Sequence, residues 1–193
     1  MLDLKGDKMK MNNKPWYPDY IRTKETKDFS LLTFIKDFTF YHSVRYMFYF
    51  RVAQKTKSKL IKLNCEQKLY LLCRKYGIEI KTETKIGEGF CMIHHYNITV
   101  SPFAVLGKNV NMYKGSTIGN NTGNPKGAPV IGDCVQIGIN ATVIGGITVG
   151  DDVVIAPNTF VNQDIPSHSV VVGNPCKIYH KENATGQFIW NKI

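Results

Sequence analysis

From Ile131 onward an aliphatic residue returns at every sixth position: Ile131, Ile137, Val143, Val149, Ile155 and Val161. Two positions before each later member stands another small or aliphatic residue: Val135, Ala141, Ile147, Val153 and Thr159. Glycine directly follows three of the anchors, in Ile131-Gly132, Ile137-Gly138 and Val149-Gly150. An earlier run keeps the same period through Val100, Leu106, Met112 and Ile118. A period of six is neither the 3.6 of an amphipathic helix nor the alternation of a half-buried strand. It predicts a solenoid in which each hexad makes one flat side and a turn. Three hexads then close a coil, and anchors of successive coils stack inside a prism. Unbroken phase over six consecutive anchors makes chance a poor explanation.

The phase is interrupted twice. Between Ile86/Met92 and Val100 the register slips by two residues, across His94–Asn97. Between Ile118 and Ile131 the step is 13, read as two hexads plus one, and the intervening GNNTGNPKGAP has the composition of an extruded loop. Loops leaving a rigid scaffold are where function concentrates, so both interruptions are candidate site positions.

Upstream of Ile78 the pattern differs. Residues 1–28 are polar and basic, with Pro15 and Pro18, and read as an extended or loosely docked arm. Ser30 stands where an N-cap is needed for a helix carrying Leu31, Leu32, Phe34 and Ile35. Aromatic-rich helical segments follow around His42–Gln54 and Glu66–Tyr76, with Gly77 at the position of a helix C-cap. The organisation expected is thus residues 1–77 as basic arm and helical cap, then residues 78–193 as solenoid with a C-terminal tail. The cap has a physical purpose, because the open end of a β-solenoid exposes unpaired strand groups.

Charge sharpens that boundary. The net charge is +10, and residues 1–78 hold 17 Lys+Arg against 7 Asp+Glu while the remainder holds 8 of each. No apolar run approaches the roughly 20 residues of a membrane span, and no secretory signal is expected at the N-terminus. Five scattered cysteines without a CxxC pair point to reduced thiols in a cytoplasmic protein. The basic aromatic stretch with Arg45, Tyr46, Phe48, Tyr49, Phe50 and Arg51 reads first as packing against the first coil. A peripheral membrane contact is its second reading. Nucleic-acid binding is not expected, since no reader motif accompanies the charge.

Residues Ile78–Ile178 resemble the serine acetyltransferase branch of the hexapeptide-repeat acyltransferases. The stretches that carry the resemblance are KIGEGFCMIHHYNITV, AVLGKNVNMYKGSTIGN, PVIGDCVQIGINATVIGGITVGDDVVIAPNTFV and DIPSHSVVVGNPCKI. It implies a mainly β fold, a left-handed parallel β-helix, with acetyl-CoA as co-substrate, no metal, and a homotrimer whose grooves lie between neighbours. It also implies O-acetyl transfer with a general-base histidine at His94, oriented by a carboxylate whose position falls on Glu79. Imidazole titrates near neutral pH and removes the hydroxyl proton as oxygen attacks the thioester, while a carboxylate fixes its tautomer. His95 is the rival base, but neighbouring side chains in extended chain point to opposite faces. For acetyl-CoA the resemblance indicates positions near Gly119, Asn120, Ile139, Pro157 and Lys177.

Two departures from the branch bear on the acceptor. An Asp that precedes the catalytic histidine is here Ile93, and an Arg-His pair in the next loop corresponds to Lys126-Gly127-Ala128-Pro129. Lys126 supplies charge without the bidentate fork of arginine. A zwitterion is then poorly held, and a saccharide of surface polysaccharide synthesis is the acceptor expected. L-serine and a catalytically inactive scaffold are the alternatives. A Cys91 acyl-enzyme and a three-histidine metal site of the γ-carbonic anhydrase kind are disfavoured, the first because direct transfer needs no covalent step, the second by histidine spacing.

Overall fold

The computed structural model describes residues 13–24 and 29–193. Among the described residues four helices come first: α1 (Tyr17–Arg22), α2 (Leu31–Phe40), α3 (His42–Lys55) and α4 (Lys59–Tyr76). Ser30 caps α2 by accepting from the Thr33 amide, and Gly77 ends α4 in the left-handed conformation at φ 69°. Fifteen short strands follow and form three sheets. Sheet A stacks β1 (Glu79–Ile80), β4 (Thr99–Val100), β7 (Thr117–Gly119), β10 (Thr142–Ile144) and β13 (Phe160–Val161). Sheet B stacks β2 (Lys85–Ile86), β5 (Val105–Leu106), β8 (Val130–Ile131) and β11 (Thr148–Val149). Sheet C stacks β3 (Cys91–Ile93), β6 (Asn111–Tyr113), β9 (Val135–Ile137), β12 (Val153–Ile155), β14 (Ser169–Val172) and β15 (Lys177–His180). The fold is a left-handed parallel β-helix of about five turns with a helical N-terminal part.

The periodic residues form three buried columns. Ile80, Val100, Ile118, Val143 and Val161 are in register along sheet A. Ile86, Leu106, Ile131 and Val149 align along sheet B. Met92, Met112, Ile137, Ile155 and Val171 align along sheet C. The residues two positions before the anchors, from Val135 to Thr159, are buried with them. Glycines that follow the sheet B anchors seal one edge of the prism: a Cβ on Gly87 would meet Gly107 backbone at 2.5 Å, and one on Gly132 would meet Gly150 backbone at 2.8 Å.

Register also corrects one reading. Val105 pairs with Val130 and Ile131 stands directly over Leu106, so Ile118 to Ile131 is one hexad extended by seven residues. The loop between β7 and β8 holds all of that excess and pinches shut through Asn121 and Gly127, whose amides and carbonyls bond reciprocally at 2.8 and 2.9 Å. The two-residue slip at His94–Asn97 is a bulge at the corner between β3 and β4.

The arm is the second correction. Trp16, Tyr17, Tyr20 and Ile21 are buried with Phe29, Phe34, Val44 and Phe48, and Trp16 stacks on Phe34 with ring centres 4.4 Å apart. Residues 13–24 are therefore docked; the rest of the arm, residues 1–12 and 25–28, lies outside the described residues. On α3, Tyr46, Met47 and Phe50 share one core with Ile78, Ile80 and Ile86 of the first coil. Tyr46 Oη donates to Ile80 O at 2.8 Å and accepts from Ile80 N at 3.1 Å, satisfying strand groups at the open end. Apolar side chains remain outside as well, among them Leu32, Phe40, Leu60 and Leu63.

Beyond β14 the chain reverses into β15, the one antiparallel strand of sheet C, and then returns across that sheet's outer face. Asn109 pairs with Ile193 backbone, and Asn111 Nδ2 donates to Phe188 O at 3.2 Å. Asp152 fixes the start of the returning segment, accepting from the Ala184 and Thr185 amides, the Thr185 hydroxyl and His168 Nδ1. Partial burial pushes the Asp152 carboxyl up, but those hydrogen bonds, led by Thr185, outweigh it and hold the pKa at about 2. With the folded pKa below the ordinary 3.8, the latch is at full strength above about pH 4 and fades as pH falls through about 2. Amide exchange followed against pH will show residues 184–189 losing protection in that window, and Asp152→Asn will weaken it at neutral pH.

Candidate active site

One edge of the prism, where sheet C turns into sheet A, collects most of the residues singled out from the sequence. Backbone bonds connect it coil by coil: Lys114 N to Ile93 O at 3.1 Å, Asn140 N to Lys114 O at 3.1 Å, and Asn158 N to Ile139 O at 2.9 Å. His94, Ile139 and Pro157 therefore stand along a single line, and Lys177 lies beside its upper end, paired with Val172. Glu79 starts β1 on the same edge, one coil below Thr99, with its side chain exposed. Among the described contacts His94 makes no bond to Glu79.

His94 lies in the corner bulge at φ 50°, with its ring exposed and 6.3 Å from that of Tyr113. His95 turns the other way, as alternation requires. It packs edge-on to His42 at 4.0 Å and parallel to Tyr96, and His42 in turn stacks on Tyr76 at 3.7 Å. Burial, reinforced by His42, pushes the His95 pKa down to about 4, so this ring is neutral and held in place. His42 Nε2 lies 2.9 Å from His95 O and fixes the backbone of the bulge. The bulge thus presents one exposed imidazole and anchors itself with the other.

A groove of about 350 Å³ opens beside this corner, lined by Ile93, His94, Lys24, Asp37, Tyr41 and Trp190 among others. Three of those residues come from the N-terminal part and one from the returning tail. A second groove of about 410 Å³, higher on the same side, is lined by Gly138, Ile139, Ala156, Pro157 and Phe188. It is apolar apart from a few groups, and the Gln136 Oε1 in its wall is buried with no hydrogen-bond partner among the described residues. That combination suits a flexible, mostly apolar chain carrying an amide.

Gly119, Asn120 and Lys126 do not join this edge. Gly119 ends β7, and Asn120 and Lys126 lie in the β7–β8 loop that follows it at the corner between sheets A and B, where Gly145 N donates to Gly119 O at 3.3 Å and Gly146 N to Pro125 O at 3.3 Å. Within one chain the structure does not bring them to His94. Cys91, at the start of β3 in sheet C, is buried, and burial raises its thiol to about 11, far from a thiolate nucleophile. Lys24 and Asp37 were missed by sequence reasoning. The available signal was a carboxylate at the one buried position of α2, between Phe34 and Phe38.

Coils of hexads around a sealed core define a hexapeptide-repeat β-helix, with a histidine bulge at one edge. Residues 128–163 match the family model described as bacterial transferase hexapeptide (six repeats). The chain is 39% identical over 108 residues to the serine acetyltransferase of Helicobacter pylori, covering 55% of this chain and 63% of that protein. It is 34% identical over 131 residues to serine acetyltransferase 2 of Arabidopsis thaliana, covering 67% of this chain and 40% of that one. The crystal structure of Neisseria gonorrhoeae serine acetyltransferase in complex with serine superposes with a TM-score of 0.65 at 25% identity, over 90% of this chain and 69% of that one. The chain is similar to these serine acetyltransferases, and it spans less than two thirds of the length of the curated relatives it matches. No described helix is long and apolar enough to cross a membrane.

Proposed function

We propose that the protein is an O-acetyltransferase that moves an acetyl group from acetyl-CoA to a hydroxyl, with His94 as general base. The observation that carries this reading is the single edge along which His94, Ile139 and Pro157 stand in line, with the Lys114 coil between His94 and the apolar groove. Acetyl-CoA supplies the thioester carbonyl; Ile139, Pro157 and the unpaired Gln136 Oε1 line the groove proposed to hold its pantetheine arm, with Lys177 near its phosphates. The His94 imidazole takes the acceptor's hydroxyl proton as the oxygen bonds to the carbonyl carbon. It returns that proton to the sulfur when the C–S bond breaks. Glu79, one coil below on the same edge, is the proposed carboxylate partner that stabilises the imidazolium. Lys126 and the β7–β8 loop reach a His94 only from a neighbouring copy, which accords with a trimer.

For the acceptor, L-serine is the first reading, because the relatives are serine acetyltransferases. It displaces the saccharide expected from Ile93 and Lys126, which the comparisons do not support. The saccharide stays as the second reading on one observation: Tyr41 and Trp190, 50% and 51% exposed, rim the His94 groove as aromatic platforms. The test is CoA release by the purified protein, with L-serine and a panel of sugars offered separately. Release with L-serine supports the first reading and release with a sugar alone supports the second. Silence with every hydroxyl acceptor overturns the enzyme and leaves a scaffold.

A further inference from the structure

The His94 groove contains a charged pair that the repeat pattern does not require. Lys24, just beyond α1, bonds through Nζ to Asp37 Oδ2 of α2, and the same oxygen accepts from Tyr20 Oη at 2.9 Å. Both contacts fall on one carboxylate oxygen. The Asp37 side chain is only 6% exposed and that of Lys24 26%. An ion pair drawn out of water costs desolvation that its own attraction repays only in part, so an apolar pair of the same size would hold α1 and α2 at least as well. Its place in the groove that also holds His94 gives it another use.

We infer that Lys24 and Asp37 form the charge clamp for a small amino-acid acceptor: Lys24 takes the α-carboxylate, Asp37 takes the α-ammonium, and the side-chain hydroxyl is left to His94. The inference rests on the serine reading above. It resolves the difficulty raised by Ile93 and Lys126, since Ile93 carries no charge and Lys126 lies on a different edge of the chain. A zwitterion entering between Lys24 and Asp37 replaces one ion pair with two and leaves the net charge of the groove unchanged. Charge-assisted hydrogen bonds of this kind are the strong ones.

The experiment needs no variant to begin. The intact protein is assayed with L-serine, with L-serinamide, which lacks the carboxylate, and with 3-hydroxypropionate, which lacks the ammonium. The clamp predicts that each analogue loses about tenfold to a hundredfold in kcat/KM against L-serine, the worth of one charged hydrogen bond. Lys24→Met will then lose the same factor with L-serine, expressed in KM, while its kcat/KM for L-serinamide and its KM for acetyl-CoA stay put. Asp37→Asn will do the converse, sparing 3-hydroxypropionate. If the intact protein uses L-serine but Lys24→Met loses L-serine and L-serinamide alike, the pair is structural and the clamp is overturned alone. If the intact protein does not acetylate L-serine at all, the acceptor reading falls and takes the clamp with it.

Discussion

His94→Ala will lose about 10²- to 10⁴-fold in turnover, the usual contribution of a positioned general base, with only the small loss of stability that Ala brings to a left-handed backbone position. The ring is exposed and makes no described hydrogen bond, so its removal leaves no buried group unsatisfied. The left-handed backbone at this position, φ 50°, is also compatible with Asn, which favours that region, so His94→Asn separates loss of the base from backbone strain. Both variants are checked by CoA release and by urea unfolding. His95→Ala supplies the contrast: it opens a hole beside His42 and Tyr96, and its loss will appear in unfolding as well as in rate. A rate unchanged in His94→Ala would remove the imidazole from the chemistry.

The largest loss of stability is expected at Arg51. Its guanidinium donates to both Asp19 carboxylate oxygens, at 2.7 and 3.2 Å, and to the Ile86 and Gly87 carbonyls at 2.7 and 2.6 Å. Asp19 Oδ1 also accepts from Phe90 N at 2.9 Å. One side chain on α3 therefore ties α1 to the second side of the first coil, with both charges buried. Arg51→Met leaves the Asp19 carboxylate buried without a counter-charge, which costs about 3–5 kcal/mol. For a chain of this size that is a fall of about 10 °C in Tm, read by thermal unfolding. Pairing Arg51→Met with Asp19→Leu will recover part of the loss, because the penalty lies in the stranded charge. No recovery in the double variant would mean that the carbonyl contacts carry the effect.

The solenoid was legible because its columns are made of residues that recur in sequence: each anchor contacts the anchor one coil away, and nothing remote decides its place. Ser30 and Gly77 were legible for the same reason, as local backbone chemistry. What escaped depends on distance along the chain. The step from Ile118 to Ile131 looked like two hexads and a spare residue, and only the pairing of Val105 with Val130 shows one hexad with a seven-residue extrusion. Trp16, Tyr17 and Tyr20 read as part of a polar arm because Phe29, Phe34 and Phe48, which bury them, lie further on. The candidate site divides likewise. His94 and its edge followed from a resemblance carried by short motifs, while Lys24, Asp37 and Trp190 converge on it from three separate segments.

The glycines that follow the sheet B anchors give the three edges of the prism different freedoms. Where Gly87, Gly107, Gly132 and Gly150 stack, backbone touches backbone, and neither a side chain nor an extra residue fits between coils. The other two edges hold the His94 bulge and the β7–β8 extrusion without disturbing a single column. The molecule is built like a bound book: one spine that admits nothing, and two open margins on which new chemistry can be written while the pages stay in order.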